Sequence, residues 1–131
     1  MKAVVLEKYQ EPLRLTEVPG PLSAHGEVAV RLAASGLNHL DERVRTGSLK
    51  ALQPVSLPKV MGSELSGTVT AIGDGVSGLG VGDAVIAYPG VQAMGSLAET
   101  IVVRADTVAP VPEGVELTAA AGLPLVGLTA W

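Results

Sequence analysis

Short apolar runs broken by glycine and proline set the rhythm of this chain. Sixteen Gly and nine Pro fall mostly between β-branched stretches, which is how a strand-rich domain with many turns reads. Residues 2–7 are rich in Val. Residues 13–18 set Leu13, Leu15 and Glu17 against Arg14, Thr16 and Val18, until Pro19-Gly20-Pro21 stops the run. Residues 27–32 place Val28, Val30 and Leu32 on one face and Glu27, Ala29 and Arg31 on the other, the period of a half-buried strand. Residues 65–72, 84–87, 97–103 and 107–111 supply further strands. Helical spacing first appears over residues 38–46, where Leu40 and Val44 stand four apart among charged neighbours. It returns over residues 117–131, an Ala-rich stretch that Pro124 divides in two. Six or more short strands with few helices predict a mostly β, barrel-like domain.

Composition narrows the picture. At 131 residues, one domain is expected, long enough to bury roughly two-thirds of the surface its unfolded chain exposes. With 47% hydrophobic and 17% charged residues the chain lies far from disordered compositions. A net charge of −4 supplies no basic footprint, so nucleic acid is excluded as an expected partner. The absence of Cys removes disulfides, thiolate nucleophiles and cysteine-bearing zinc sites, and suits a reducing cytoplasm, the expected location. Glu7 interrupts the apolar start before a signal-peptide core can form. The longest uncharged runs, 84–98 and 117–131, fall short of the ~20 residues of a spanning helix, so no membrane association is expected. The apolar run 123–131 looks made to be covered.

Two segments carry candidate chemistry. Gly73-Asp-Gly-Val-Ser-Gly78 matches the spacing of a dinucleotide fingerprint and follows a predicted strand. That mechanism needs a helix to open at the third glycine, and Leu79-Gly80-Val81-Gly82-Asp83 cannot sustain one at a cost of about 1 kcal/mol per Gly relative to Ala. A turn is the expected structure. Asn38-His39-Leu40-Asp41 gathers an amide, an imidazole and a carboxylate at the opening of the short helix. Asn38 can act as an N-cap, with the acid favoured in the first turn. The same helix start can receive an anion, with His39 as an added donor. Glu64, ahead of an apolar strand, reads from composition as a strand-edge charge rather than a general base. His25 sits in a turn and is expected to be solvated, while Met61 and Met94 read as core filler.

Taken in order, Met1-Lys-Ala-Val-Val5, Gly26-Glu-Val28, Gly36-Leu-Asn-His-Leu-Asp41, Gly62-Ser-Glu-Leu-Ser-Gly67, Val81-Gly-Asp83, Gly95-Ser-Leu-Ala-Glu99 and Leu123-Pro-Leu-Val-Gly-Leu-Thr-Ala-Trp131 resemble a medium-chain dehydrogenase/reductase. The resemblance runs over essentially the whole chain and rests on the ordered set of motifs. It implies a GroES-like, partly open β-barrel over residues 1–122, the substrate-side domain of an NAD(P)-dependent enzyme. Residues 123–131 would begin the connection to a Rossmann domain that this chain lacks. In zinc alcohol dehydrogenases of the family a Cys stands at the position of Asn38 and a His at that of Ser63. The structural-zinc lobe is replaced by Tyr88-Pro-Gly-Val-Gln-Ala-Met-Gly95. The resemblance is therefore to the zinc-independent, quinone oxidoreductase-like branch, in which NADPH or NADH supplies the chemistry and no metal is expected.

Carried over residue by residue, the resemblance makes Asn38 and Asp41 the catalytic candidates. Asn38, His39 and Thr129 become the cofactor-binding candidates: Asn38 faces the nicotinamide and substrate, His39 lies near the pyrophosphate, and Thr129 approaches the nicotinamide. Glu64 matches the family's Gly-x-Glu acid and is expected to be structural. Arg43 stands where many quinone oxidoreductases carry a Tyr. The expected activity is hydride transfer to a quinone or conjugated carbonyl (enone) compound, with the isolated 131 residues inactive. The expected partners are that small molecule, a Rossmann domain in cis or in trans, and a second copy in a homo-oligomer. The rival reading is a free-standing GroES-like binding or scaffolding module without catalysis.

Overall fold

The computed structural model describes all residues from Met1 to Trp131. Eight strands form two antiparallel sheets that do not close into a barrel. Strands β1 (Lys2–Leu6), β2 (Arg14–Glu17) and β4 (Lys59–Val60) make the smaller one, in the order β2-β1-β4. The larger contains β3 (Glu27–Gly36), β5 (Glu64–Ile72), β6 (Ala84–Ala87), β7 (Thr100–Arg104) and β8 (Val108–Pro110), in the order β7-β3-β5-β6-β8. Three short helices accompany them: α1 (His39–Arg45), α2 (Leu117–Ala120) and α3 (Pro124–Ala130). None is long and apolar enough to cross a membrane.

The period-two pattern of the strands builds the main core. Val28 and Val30 of β3, Leu65 and Val69 of β5, Val85 and Ala87 of β6, and Ile101 and Val103 of β7 form one buried cluster. Fully burying each Val, Leu or Ile contributes about 1.5–3 kcal/mol relative to leaving it exposed. Two register shifts between β3 and β5, at Ala29/Val30 and Leu32/Ala34, bend the pair so that it curves around this core. Strand β2 alternates in sequence as predicted, yet all four of its residues are exposed, because it is the outer strand of the small sheet with nothing packed over it. Two-residue β4, between Pro58 and Met61, escapes the sequence pattern because it is too short to show a period.

A second cluster of Leu6, Val44, Leu49, Val55, Met61, Val91 and Met94 packs α1 and the loops around it against β1. The small sheet is closed by a late segment of the chain: Val4 N–H donates to the Leu97 carbonyl at 2.8 Å, and Lys2 N–H to Glu99 Oε2 at 2.8 Å. Residues 73–82 form turns, as expected, with Gly75 at φ +79, a conformation costly for any residue with a Cβ. Gly26 N–H donates to the Asp74 carbonyl at 2.8 Å, and Gly73 N–H to that of Glu27 at 2.8 Å, which tie this turn to the start of β3.

Candidate functional site

Strands β3 and β5 run side by side until Gly36 faces Glu64, and the chain then leaves the sheet through Leu37 and Asn38 into α1. The helix begins at Asn38, the N-cap, and its charges follow the helix dipole, with Asp41 and Glu42 in the first turn and Arg43 and Arg45 in the last. Asp41 reaches back to hold the start: its Oδ2 accepts the Asn38 backbone N–H at 2.8 Å and the Ser63 hydroxyl at 3.2 Å. The Asn38 side chain turns the other way, and its Nδ2 donates to Glu64 Oε1 at 2.8 Å. The second oxygen of Glu64 accepts the Leu125 backbone N–H in the first turn of α3, at 2.7 Å.

Glu64 is therefore not the strand-edge charge expected from composition. It is 1% exposed, and both its oxygens are occupied by donors 26 and 61 residues away in sequence. Composition sees an acid at the head of a strand; it does not see donors that only the fold brings there. Gly36 belongs to the same arrangement, since a Cβ at that position would stand 2.1 Å from Glu64 Oε1. Asp41 is also buried, and its Oδ1 has no hydrogen-bond partner. Burial pushes its carboxyl above the ordinary carboxylate value, against the opposing effect of the Asn38 N–H and Ser63 hydroxyl donors. Burial also raises the Tyr88 phenol, with a further contribution from the Asp41 charge.

A cleft of about 700 Å³ opens between α1, the loop carrying Leu49 and Leu52, the segment of Tyr88 and Val91 after β6, and α3. This is the size and character of a small-molecule site, mainly apolar with a few polar groups. Asn38, His39 and Thr129, named from the sequence, meet on its walls with Arg43. Asp41 does not line it and lies behind the helix start. Thr129 is exposed on α3 and donates its hydroxyl to the Leu125 carbonyl at 2.7 Å. Tyr88, Leu49 and Val91 were not singled out by sequence reasoning; no local pattern distinguishes a cleft wall from a core position.

The donor set behind the cleft does not suit zinc, which is held by Cys sulfur, His nitrogen or carboxylate oxygen. Asn38 contributes an amide and Ser63 a hydroxyl, and the Glu64 oxygens are taken by N–H donors. No three His, Cys, Asp or Glu side chains converge to hold a metal ion anywhere in the chain.

Two antiparallel sheets with a helix-walled cleft at the Gly36–Glu64 end define a GroES-like domain of the oxidoreductase type. The model of the alcohol dehydrogenase GroES-like domain matches residues 24–113. The chain is 35% identical over 133 residues to the synaptic vesicle membrane protein VAT-1 homolog-like of Mus musculus, covering all of this chain and 31% of that protein. It is 34% identical to the chloroplastic quinone-oxidoreductase QR1 of Triphysaria versicolor, covering 99% of this chain and 40% of that protein. The structure of the Escherichia coli quinone oxidoreductase complexed with NADPH superimposes with a TM-score of 0.87 at 30% identity, over 98% of this chain and 39% of that one. The chain belongs to the alcohol dehydrogenase GroES-like domain family, in the quinone oxidoreductase-like branch of the medium-chain dehydrogenases/reductases. It spans roughly a third of the length of the curated relatives it matches.

Proposed function

We propose that the chain is the substrate-side domain of an NAD(P)H-dependent oxidoreductase that reduces quinones or conjugated carbonyl compounds without zinc. The observation that carries this reading is the 700 Å³ cleft, where Asn38, His39 and Thr129 stand together on otherwise largely apolar walls. The largely apolar surface suits a flat ring. A bound nicotinamide cofactor would supply the hydride. The chain's own part is then positioning and charge stabilisation. One Nδ2 proton of Asn38 is given to Glu64, and the other remains to donate to a carbonyl oxygen as negative charge develops there. His39, one residue further on, offers an imidazole to the cofactor's phosphates, and Thr129 bounds the ring from the opposite wall. Asp41 acts as a positioning residue, since it holds the Asn38 backbone from behind the cleft.

The division of the chain into residues 1–122 as the GroES-like unit and 123–131 as the start of a connection to a cofactor domain belongs to the same proposal. The extended length of the relatives supports it, as does Gly73–Gly78 forming turns rather than a phosphate-binding helix start. The 131 residues alone are accordingly proposed to be inactive. The test is NADPH oxidation by the natural protein with 1,4-benzoquinone as acceptor, with and without a strong zinc chelator. Turnover indifferent to the chelator is the expected result. No turnover overturns the oxidoreductase reading, and turnover abolished by the chelator overturns its zinc-free part.

A further inference from the structure

We propose that Glu64 is a positioning residue that ties the two walls of the cleft together and fixes which way the Asn38 carboxamide faces. The inference rests on the reading of the cleft as the reacting site. One wall is the start of α1, the other the start of α3, and the only group seen to hydrogen-bond to both is the Glu64 carboxylate, through Asn38 Nδ2 on Oε1 and Leu125 N–H on Oε2. Three features make this more than a satisfied buried acid. A carboxylate accepts only, so it forces the nitrogen of the Asn38 carboxamide toward itself; a group able to donate would allow the amide to flip. Asn38 is then held from both sides, by Glu64 at its side chain and by Asp41 at its backbone N–H. The carboxylate lies against the Gly36 Cα, where a side chain would stand 2.1 Å from Oε1, so the backbone of β3 leaves room for it in this one place. Strand β5 thus delivers, at its first residue, the distance between two helices that share no other hydrogen bond.

Glu64→Gln is the direct test, because Gln keeps the volume but has one accepting oxygen and one donating nitrogen. In the natural protein, hydrogen exchange at the Leu125 amide and the chemical shifts of the Asn38 side-chain NH2 are followed by NMR, and quinone reduction is measured over a range of NADPH and quinone concentrations. The expected result is faster exchange at Leu125, displaced Asn38 side-chain resonances, and kcat lower by about 10- to 100-fold, the scale of a misplaced reacting group, with the NADPH KM changed far less. Unchanged exchange and unchanged Asn38 resonances overturn the proposal whether or not the protein reduces quinones. An unchanged kcat in a variant whose resonances have moved overturns the positioning role. If the wild-type protein has no quinone reductase activity, the functional reading fails while the two NMR readouts still decide whether Glu64 holds the walls. Should Glu64→Gln not fold, Gly36→Ala retains the carboxylate and displaces it; the same changes are expected, and their absence overturns the proposal.

Discussion

The two ends of strand β5 make opposite use of similar-looking sequence. At Ile72 the strand runs into Gly73–Gly78, which has the spacing of a phosphate-binding loop and forms turns tied by backbone hydrogen bonds to the start of β3. At Glu64 it begins with an inconspicuous Gly-Ser-Glu, and here the buried acids and the cleft are found. The difference lies in what each end is packed against. The glycine end faces solvent and the exposed His25, whereas the acid end lies beneath two helix N-termini. A motif acts through the structure that follows it, and β5 shows a fingerprint without its helix beside a site without a fingerprint.

The largest effect expected along this strand is on stability, at the residue next to the acid. Leu65→Ala removes a fully buried side chain from the main core and should cost about 2–5 kcal/mol in urea unfolding. A loss below about 1 kcal/mol would mean that the acid end is loosely packed. Next comes Asn38→Ala, which should lower kcat for quinone reduction by about 100-fold, the scale of a lost oxyanion donor, with about 1–3 kcal/mol lost in stability because the buried Glu64 Oε1 loses its donor. A stability loss with full activity would instead make Asn38 a structural partner of Glu64 and nothing more.

At the other end, Gly75→Ala meets both a positive φ and the His25 ring, 2.4 Å from the added Cβ. It should cost about 1–2 kcal/mol in thermal unfolding and leave NADPH affinity unchanged. Weakened NADPH binding without destabilisation would restore the phosphate-loop reading. The smallest effect concerns pH. Burial raises the Asp41 carboxyl above 3.8, so the folded chain holds this proton more tightly than the unfolded chain does. Its contribution is therefore most favourable below 3.8 and is lost as pH rises through the raised value. Asp41→Asn should gain stability over wild type as pH rises through that window and converge with it below, as denaturation at a series of pH values would show.

The strands of the large sheet were legible because their burial is local in origin: Val28 and Val30, or Ile101 and Val103, alternate and pack as they alternate. Helix α1 was legible from Leu40 and Val44, and Asn38, His39 and Thr129 came from the ordered motifs of the family and meet in the cleft. What sequence could not show depends on long-range company. Strand β2 alternates without cover, and composition alone reads Glu64 as a strand-edge charge because its partners, Asn38 and Leu125, are brought to it only by the fold. The family motifs place Asp41 with the reacting residues, whereas the fold turns its carboxylate to the Asn38 backbone and away from the cleft.

The closure of the small sheet by residues 97–99 also sets a schedule. Strand β1 is made well before residues 97–99, and the Lys2 N–H waits for an acceptor 97 residues downstream. At synthesis rates of about 5–20 residues per second, that edge stays open for roughly 5–20 s, with Val4 and its neighbours available to any other strand that passes. Residues 2–4 are thus open to mispairing until residues 97–99 have been made.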